Sequence, residues 1–160
     1  MNLKNEVHLL INRLPDSDAF HQLSSQLRAM PENEAIDIIQ SLLNSNSNSL
    51  SYNGVKLIGK VINKKDSLYS FLYQGLSQKD VSRINIWLET ILPKIGYKKG
   101  LSYLKKLAIN EPELIFYAWY YLEPMIIKNA PELVLKISEL GSLVDETIDP
   151  KLKNIWKRTI

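Results

Sequence analysis

Apolar residues recur every three or four positions along most of this 160-residue chain, and that spacing is typical of amphipathic helices. The first stripe of this kind consists of Leu3, Val7, Leu10, Ile11 and Leu14. The most regular stripe consists of Val81, Ile84, Leu88, Ile91 and Leu92. Runs of alternating β-branched residues, which would indicate strands, are absent from the sequence. The pattern therefore predicts an all-α protein of about nine or ten helices.

Prolines and glycines in this pattern indicate where the helices begin and end. Helix starts are predicted at or next to Pro31, Pro93, Pro112, Pro131 and Pro150. Helix ends are predicted near Gly75 and Gly141. The polar run at 44–49 (NSNSNS) predicts a loop, and the segment 44–51 is the candidate for a hinge. We expect one all-α domain over residues 1–160.

The dipeptide Pro-Glu occurs at positions 31, 112 and 131, and the last two copies are 19 residues apart. One helix and its turn have that length, so two such helices span about 38 residues, close to the HEAT and armadillo period. Between Ser77 and Leu140 the chain therefore resembles HEAT-like helical repeats. The resemblance implies a short solenoid of stacked antiparallel helix pairs whose concave side binds a protein or a nucleic acid. An irregular helical bundle explains the same pattern.

The composition excludes most catalytic and metal-binding chemistry. The chain has no Cys and two His, so it offers no Cys nucleophile and no thiolate metal site. It also lacks the glycine-rich loops that hold nucleotide phosphates, and we expect neither a cofactor nor enzymatic activity. Asp18, His21 and Ser25 share one helix face, but a working triad gathers such groups beside oxyanion donors. We interpret these three residues as an ordinary polar face.

Neither the N-terminus nor the hydropathy predicts a membrane or secreted protein. The first six residues lack the apolar core of a secretory signal. The longest apolar run, 114–127, contains Glu123 and Pro124 and is shorter than the roughly 20 residues that a membrane span needs. We therefore expect a soluble, cytoplasmic protein without a membrane partner.

The charge is unevenly distributed along the chain. The total is +3, but residues 1–50 carry −3, residues 51–110 carry +8, residues 111–149 carry −6 and residues 150–160 carry +4. A strongly basic segment thus lies between two acidic ones. Such a segment is able to hold phosphates or an acidic partner protein.

Lysines at helical spacing within this basic segment are the candidate binding residues. The first stripe consists of Lys56, Lys60 and Lys64, and the second consists of Lys94, Lys98 and Lys105. If both stripes face the same way, they form one basic surface for a partner. The alternative is a solvated face whose lysines pair with the acidic segments. Because Lys is a flexible point charge, any nucleic acid would be held by its phosphates with little reading of bases.

Residues 116–121 contain five of the aromatic side chains, and Trp119 lies at their centre. One interpretation places this cluster in the core. The other makes Trp119 part of an aromatic hot spot for a partner.

These observations favour a non-catalytic, macromolecule-binding helical module, with protein–protein recognition first: an adaptor, an inhibitor or an immunity-type protein. The alternative is a nucleic-acid-binding helical-repeat protein that contacts phosphates through residues 51–110. The sequence leaves the identity of the partner and the oligomeric state open.

Overall fold

A computed structural model describes residues 3–156 and 158. Helix makes up 84% of it, and no strand occurs among these residues, so the predicted all-α class and helix number are confirmed. The ten α-helices are α1 (Leu3–Asn12), α2 (Ser17–Ala29), α3 (Glu32–Leu43), α4 (Asn48–Val61), α5 (Lys65–Ser77), α6 (Val81–Ile95), α7 (Tyr97–Asn110), α8 (Pro112–Asn129), α9 (Val134–Thr147) and α10 (Pro150–Lys153). A 3₁₀ turn, Pro131–Leu133, precedes α9.

The chain divides into two compact units, Met1–Leu68 and Tyr69–Ile160, and the boundary between them falls inside α5. The hinge candidate 44–51 lies within the first unit. Its first four residues connect α3 to α4, and α4 begins at Asn48 after an N-cap at Ser47, whose Oγ accepts a hydrogen bond from the N–H of Leu50. A hinge role for this segment stays a prediction.

In the first unit, α1 packs against α2, α3 packs against α4, and α2 also contacts α3 and α4. The apolar stripes meet in a core whose fully enclosed side chains include Leu23, Leu27, Ile39 and Ile58. Asp16 caps α2 by accepting hydrogen bonds from the N–H groups of Asp18 and Ala19. The bond from Ala19 contributes most to lowering the pKa of the Asp16 carboxyl below 3.8.

In the second unit, the helices α6 to α9 pack against their sequence neighbours and against the next helix but one. The pairs α6–α7, α7–α8 and α8–α9 are in contact, and so are α6–α8 and α7–α9. The core includes Trp87, Leu88, Leu104, Ile115 and Ile126. This packing brings α6 and α8 side by side, and that arrangement forms the site described below.

Three of the predicted helix boundaries are wrong. Pro93 lies inside the last turn of α6 and does not open a helix, while Gly96, with φ of +95°, separates α6 from α7. Gly75 and Gly141 do not end helices, since α5 continues to Ser77 and α9 to Thr147. Both glycines instead serve close packing: a Cβ at Gly75 would lie 2.4 Å from a ring carbon of a buried tryptophan.

Candidate functional site

The first predicted lysine stripe is broken in the structure. Lys56 and Lys60 lie exposed on α4, but that helix ends at Val61, so Lys64 belongs to the connection that precedes α5. The N–H of Lys64 donates to Oε2 of Glu32 at 3.4 Å. The prediction of three lysines along one helix face is therefore wrong, because the helical spacing stops at Ile62.

Lys56 is engaged with aromatic rings of its own unit. Its Nζ lies 5.0 Å from the centroid of the Phe20 ring and 5.7 Å from that of Tyr52. An ammonium group over two aromatic faces gains electrostatic stabilisation from both. Lys56 thus contributes to holding α4 against α2, although its side chain remains exposed.

The second lysine stripe is also divided. Lys94 lies half-buried on α6, whereas Lys98 and Lys105 lie exposed on α7, because Gly96 interrupts the helix between them. The predicted single stripe over these three residues is wrong for that reason. The first stripe lies in the unit before Leu68 and the second in the unit after it, and a shared basic face for the two stays a prediction.

Helix α7 nevertheless presents a basic face of its own. Lys98, Lys99, Lys105 and Lys106 are all exposed, and helical geometry places them within one arc together with Ser102 and Ile109. The Nζ of Lys105 lies 3.8 Å from Oε2 of Glu139 on α9. No ion pair joins the other three lysines to a residue that the structure describes. We call this surface the α7 basic face.

Trp119 lies in the core, the placement that the sequence offered as the alternative to a hot spot. Its side chain is 3% exposed, and its Nε1 donates a hydrogen bond of 2.9 Å to Oε2 of Glu123. Glu123 is itself buried, so the carboxyl group inside the apolar run 114–127 points inward. A buried carboxylate needs such donors to offset its desolvation. Trp119 therefore stabilises α8 from the buried side of the helix.

The next residue, Tyr120, has the opposite environment. Its side chain is 76% exposed. Pro124 and Ile127 follow at i+4 and i+7, and both are also exposed, so the three residues form an apolar line on the outer face of α8. We call Tyr120, Pro124 and Ile127 the α8 ridge. A contiguous line of exposed apolar groups is a candidate contact surface for another molecule.

Beside this ridge, α6 and α8 enclose an open groove of about 680 Å³. Tyr121 and Met125 supply apolar lining, and Tyr120 stands at the edge with its ring 5.2 Å from that of Tyr121. The polar lining residues are Asn85, Glu89, Glu123, Lys128 and Asn129. An apolar centre with a rim of amides and both charge signs is the usual anatomy of a protein-binding surface.

The first unit contains a second groove of similar volume between α1 and α3, about 680 Å³. Its apolar lining includes Val7, Ile11 and Ile38, and its polar lining includes His8 and Asp37. None of its described lining residues is Phe, Tyr or Trp. Because aromatic anchors dominate the energetics of protein interfaces, the α6–α8 groove is the stronger candidate.

Reasoning from the sequence did not find the α8 ridge. The sequence pattern indicates an aromatic cluster over residues 116–121 with Trp119 at its centre, and it does not distinguish Tyr120 from its neighbours. Which of these neighbours points outward depends on the helices that cover α8. The sequence carries one related signal, Pro124, because a proline four residues after Tyr120 cannot donate a helical hydrogen bond to the Tyr120 carbonyl, which then needs another partner such as water.

The polar residues Asp18, His21 and Ser25 have separate partners. Oδ2 of Asp18 accepts a hydrogen bond from Gln22 at 2.9 Å, and Oγ of Ser25 accepts one from Arg28 at 3.3 Å. The His21 ring lies at the edge of Phe20, with 6.1 Å between centroids. In the described part of the chain, no three His, Asp or Glu side chains are grouped as metal ligands would be.

No family model matches the chain, and neither a curated protein nor a solved structure matches it. The resemblance to HEAT-like repeats stays a prediction from period and helix pairing. Among the described residues, none of the helices combines the length and apolar character required to cross a membrane.

Proposed function

We propose that this chain is a non-catalytic, cytoplasmic helical module that binds another protein, with the α8 ridge and the α6–α8 groove as its contact surface. The observation that carries the proposal is Tyr120, a large aromatic side chain that is 76% exposed at the edge of an apolar groove. An exposed tyrosine beside a pocket that a partner side chain can fill is the geometry of an interface hot spot.

The partner that fits this surface inserts an apolar side chain into the groove and covers the Tyr120 ring. The amides of Asn85 and Asn129 offer hydrogen bonds at the rim, and Glu89 and Lys128 offer one charge of each sign. A rim of mixed sign gives orientation and selects against wrong partners more than it adds affinity.

The test is a comparison of proteins captured from the source organism by three tagged full-length chains. These are the wild type, Tyr120→Ala/Ile127→Ala, and Tyr52→Ala as control. Tyr52 is a half-exposed tyrosine of α4, at 50% exposure, so its loss removes a similar ring from elsewhere. We expect the ridge variant to capture at least tenfold less of a protein that the wild type and the control retain. Equal capture by all three chains would overturn the proposal.

A second candidate function, nucleic-acid binding, is favoured by the α7 basic face. Lys98, Lys99, Lys105 and Lys106 are exposed on one helix. Contact of four lysines with four phosphates predicts a slope of about −3 to −4 when the logarithm of affinity is plotted against the logarithm of salt concentration.

Anisotropy of labelled double-stranded DNA and RNA separates the two functions. Nucleic-acid binding requires that slope, and it requires that Lys98→Glu/Lys106→Glu abolish the signal while Tyr120→Ala leaves it unchanged. Protein binding requires that Tyr120→Ala lower the amount of captured protein while Lys98→Glu/Lys106→Glu leaves it unchanged. It also requires that neither nucleic acid give a saturable anisotropy signal at low salt.

A further inference from the structure

Two side chains attach the segment after α10 to α8 and α9. The indole of Trp156 packs on the rings of Phe116 and Trp119, with 5.8 Å and 5.0 Å between ring centroids. Its Nε1 donates a hydrogen bond to Oδ1 of Asp145. Aromatic packing and a polar anchor together fix this indole in one position.

Arg158 makes the second attachment. Its Nη2 lies 2.8 Å from Oδ2 of Asp145, and its Nη1 donates a hydrogen bond of 3.1 Å to the carbonyl oxygen of Ser138. Gly141 provides the room for the guanidinium, because a Cβ at that position would lie 2.5 Å from Nη1. One carboxylate, that of Asp145, thus receives both the indole N–H and the guanidinium.

The chain between α9 and these two side chains contributes little to the core. Ile148 is the last buried residue before Trp156, and none of residues 149–155 is buried. Helix α10 buries none of its residues, and Ile155 is 65% exposed. Within residues 149–156 and 158, Trp156 and Arg158 make the side-chain contacts to α8 and α9 described above, while the preceding helices supply the buried side chains of the unit.

The charges of the two parts are complementary. Residues 150–160 carry a net charge of +4, and residues 111–149, which supply α8 and α9, carry −6. This difference in net charge favours the approach of a basic segment to α8 and α9.

We infer that the surface formed by Phe116, Trp119, Ser138, Gly141 and Asp145 is a peptide-binding site that the chain's own C-terminal segment covers. We call it the clasp groove. Its partner is a protein segment that carries a tryptophan two residues before an arginine, in a basic context. A partner with those two side chains makes the same contacts in trans and displaces Trp156 and Arg158. This site lies beyond the proposed function, which concerns the α8 ridge and the α6–α8 groove.

The test uses the full chain without the contacts of Trp156 and Arg158, and we call this variant the released chain. Trp156→Ala/Arg158→Ala removes both attachments, and the probe is a fluorescein-labelled peptide with the sequence of residues 149–160. We expect the released chain to bind the probe at least tenfold more tightly than the wild type. In the wild type the tethered segment competes at an effective concentration in the millimolar range. Arg158→Glu, which places a carboxylate against Asp145, is a second releasing variant that keeps the indole.

Two controls address specificity. A peptide in which alanine replaces both the tryptophan and the arginine is expected to bind at least tenfold more weakly to the released chain. Asp145→Ala in the released chain removes the carboxylate that holds the tryptophan and the arginine, and we expect the wild-type peptide to bind at least tenfold more weakly to it. Because the Asp145 side chain is 37% exposed, we expect this variant to remain folded.

Three results would overturn the inference. The first is a released chain that keeps its helical circular dichroism spectrum and does not bind the probe. The second is equal binding of the wild-type and alanine peptides. The third is a wild-type chain that dimerises and loses its dimer on Arg158→Glu, which would make a second copy the occupant of the groove.

Discussion

The ring of Trp87 lies directly against the backbone of Gly75. A Cβ built on Gly75 would come within 2.4 Å of Cδ2 of Trp87 and 2.6 Å of two more ring carbons. The indole is 3% exposed and therefore has little room to move. Contact between α5 and α6 at this point thus depends on the absence of one methyl group.

Gly75→Ala should destabilise the protein by about 1–3 kcal/mol, because overpacking outweighs the gain in helix propensity of roughly 1 kcal/mol. Urea unfolding followed by circular dichroism measures the difference. Ser70→Ala, at an exposed position of the same helix, is the control and should change stability by less than about 0.5 kcal/mol. A stabilised Gly75→Ala would show that the indole moves aside freely.

Substitution of Gly96 measures the cost of backbone strain alone, because a side chain at this position would not be crowded by neighbouring atoms. Its φ of +95° lies where L-residues are strained, and no atom lies within 4 Å of the place that a Cβ would take. Gly96→Ala should therefore cost about 1–3 kcal/mol, and the whole cost would come from the backbone. The measurement is again urea unfolding, with Lys99→Ala on the exposed side of α7 as control. Equal stability of the two variants would contradict the prediction.

Adjacent residues of α8 should differ sharply in their contribution to stability. Trp119→Ala removes a buried ring and should cost about 3–5 kcal/mol. Tyr120→Ala removes a ring that is 76% exposed and should change stability by less than about 0.5 kcal/mol. Thermal and urea unfolding of both variants give the comparison. A large cost for Tyr120→Ala would assign that ring to the fold and weaken its role as a binding residue.

The hydroxyl of Tyr73 donates a hydrogen bond of 2.9 Å to Oε1 of Glu111, and this bond raises the pKa of the phenol above 10.0. Burial, followed by nearby charges that include Glu111, also raises the pKa of Tyr103. A raised pKa favours the neutral phenol in the folded state. The resulting stabilisation is present below pH 10 and is lost as the pH rises through the folded-state values.

Glu111→Gln should therefore shift the ionisation of Tyr73 toward lower pH, and that of Tyr103 by less. Absorbance at the phenolate band, or the chemical shift of Cζ in labelled tyrosine, follows the titration. Tyr73→Phe assigns the signal. Unchanged titration in Glu111→Gln would mean that the carboxylate does not face Tyr73 in solution.

The helices could be predicted from the sequence, but several of their ends could not. Amphipathic spacing follows directly from burial of one face, so each apolar stripe indicated a helix. Gly75 and Gly141 were mistaken for helix ends, because a glycine that admits a neighbouring side chain looks the same in a sequence as one that ends a helix. The error at Lys64 has a related cause: regular spacing of lysines carries no information about where the helix stops.

The site was harder to predict than the fold. Glu123 interrupts the apolar run 114–127 in the sequence, which does not show which way its side chain faces; in the structure it is buried beside the indole N–H of Trp119. Tyr120 seemed to belong to the core, yet it is exposed. The orientation of both depends on which helices pack around α8, and that information lies in residues far away in the sequence.

The boundary between the two compact units has a practical consequence for dissecting the protein. It falls between Leu68 and Tyr69, after the fourth of the 13 residues of α5, and therefore inside a continuous helix. An expression clone that stops or starts there would cut a helix and leave its last carbonyls, or its first N–H groups, without partners. Fragments intended to isolate either unit should therefore include all of α5, and a protease will find no extended linker at the boundary to cleave.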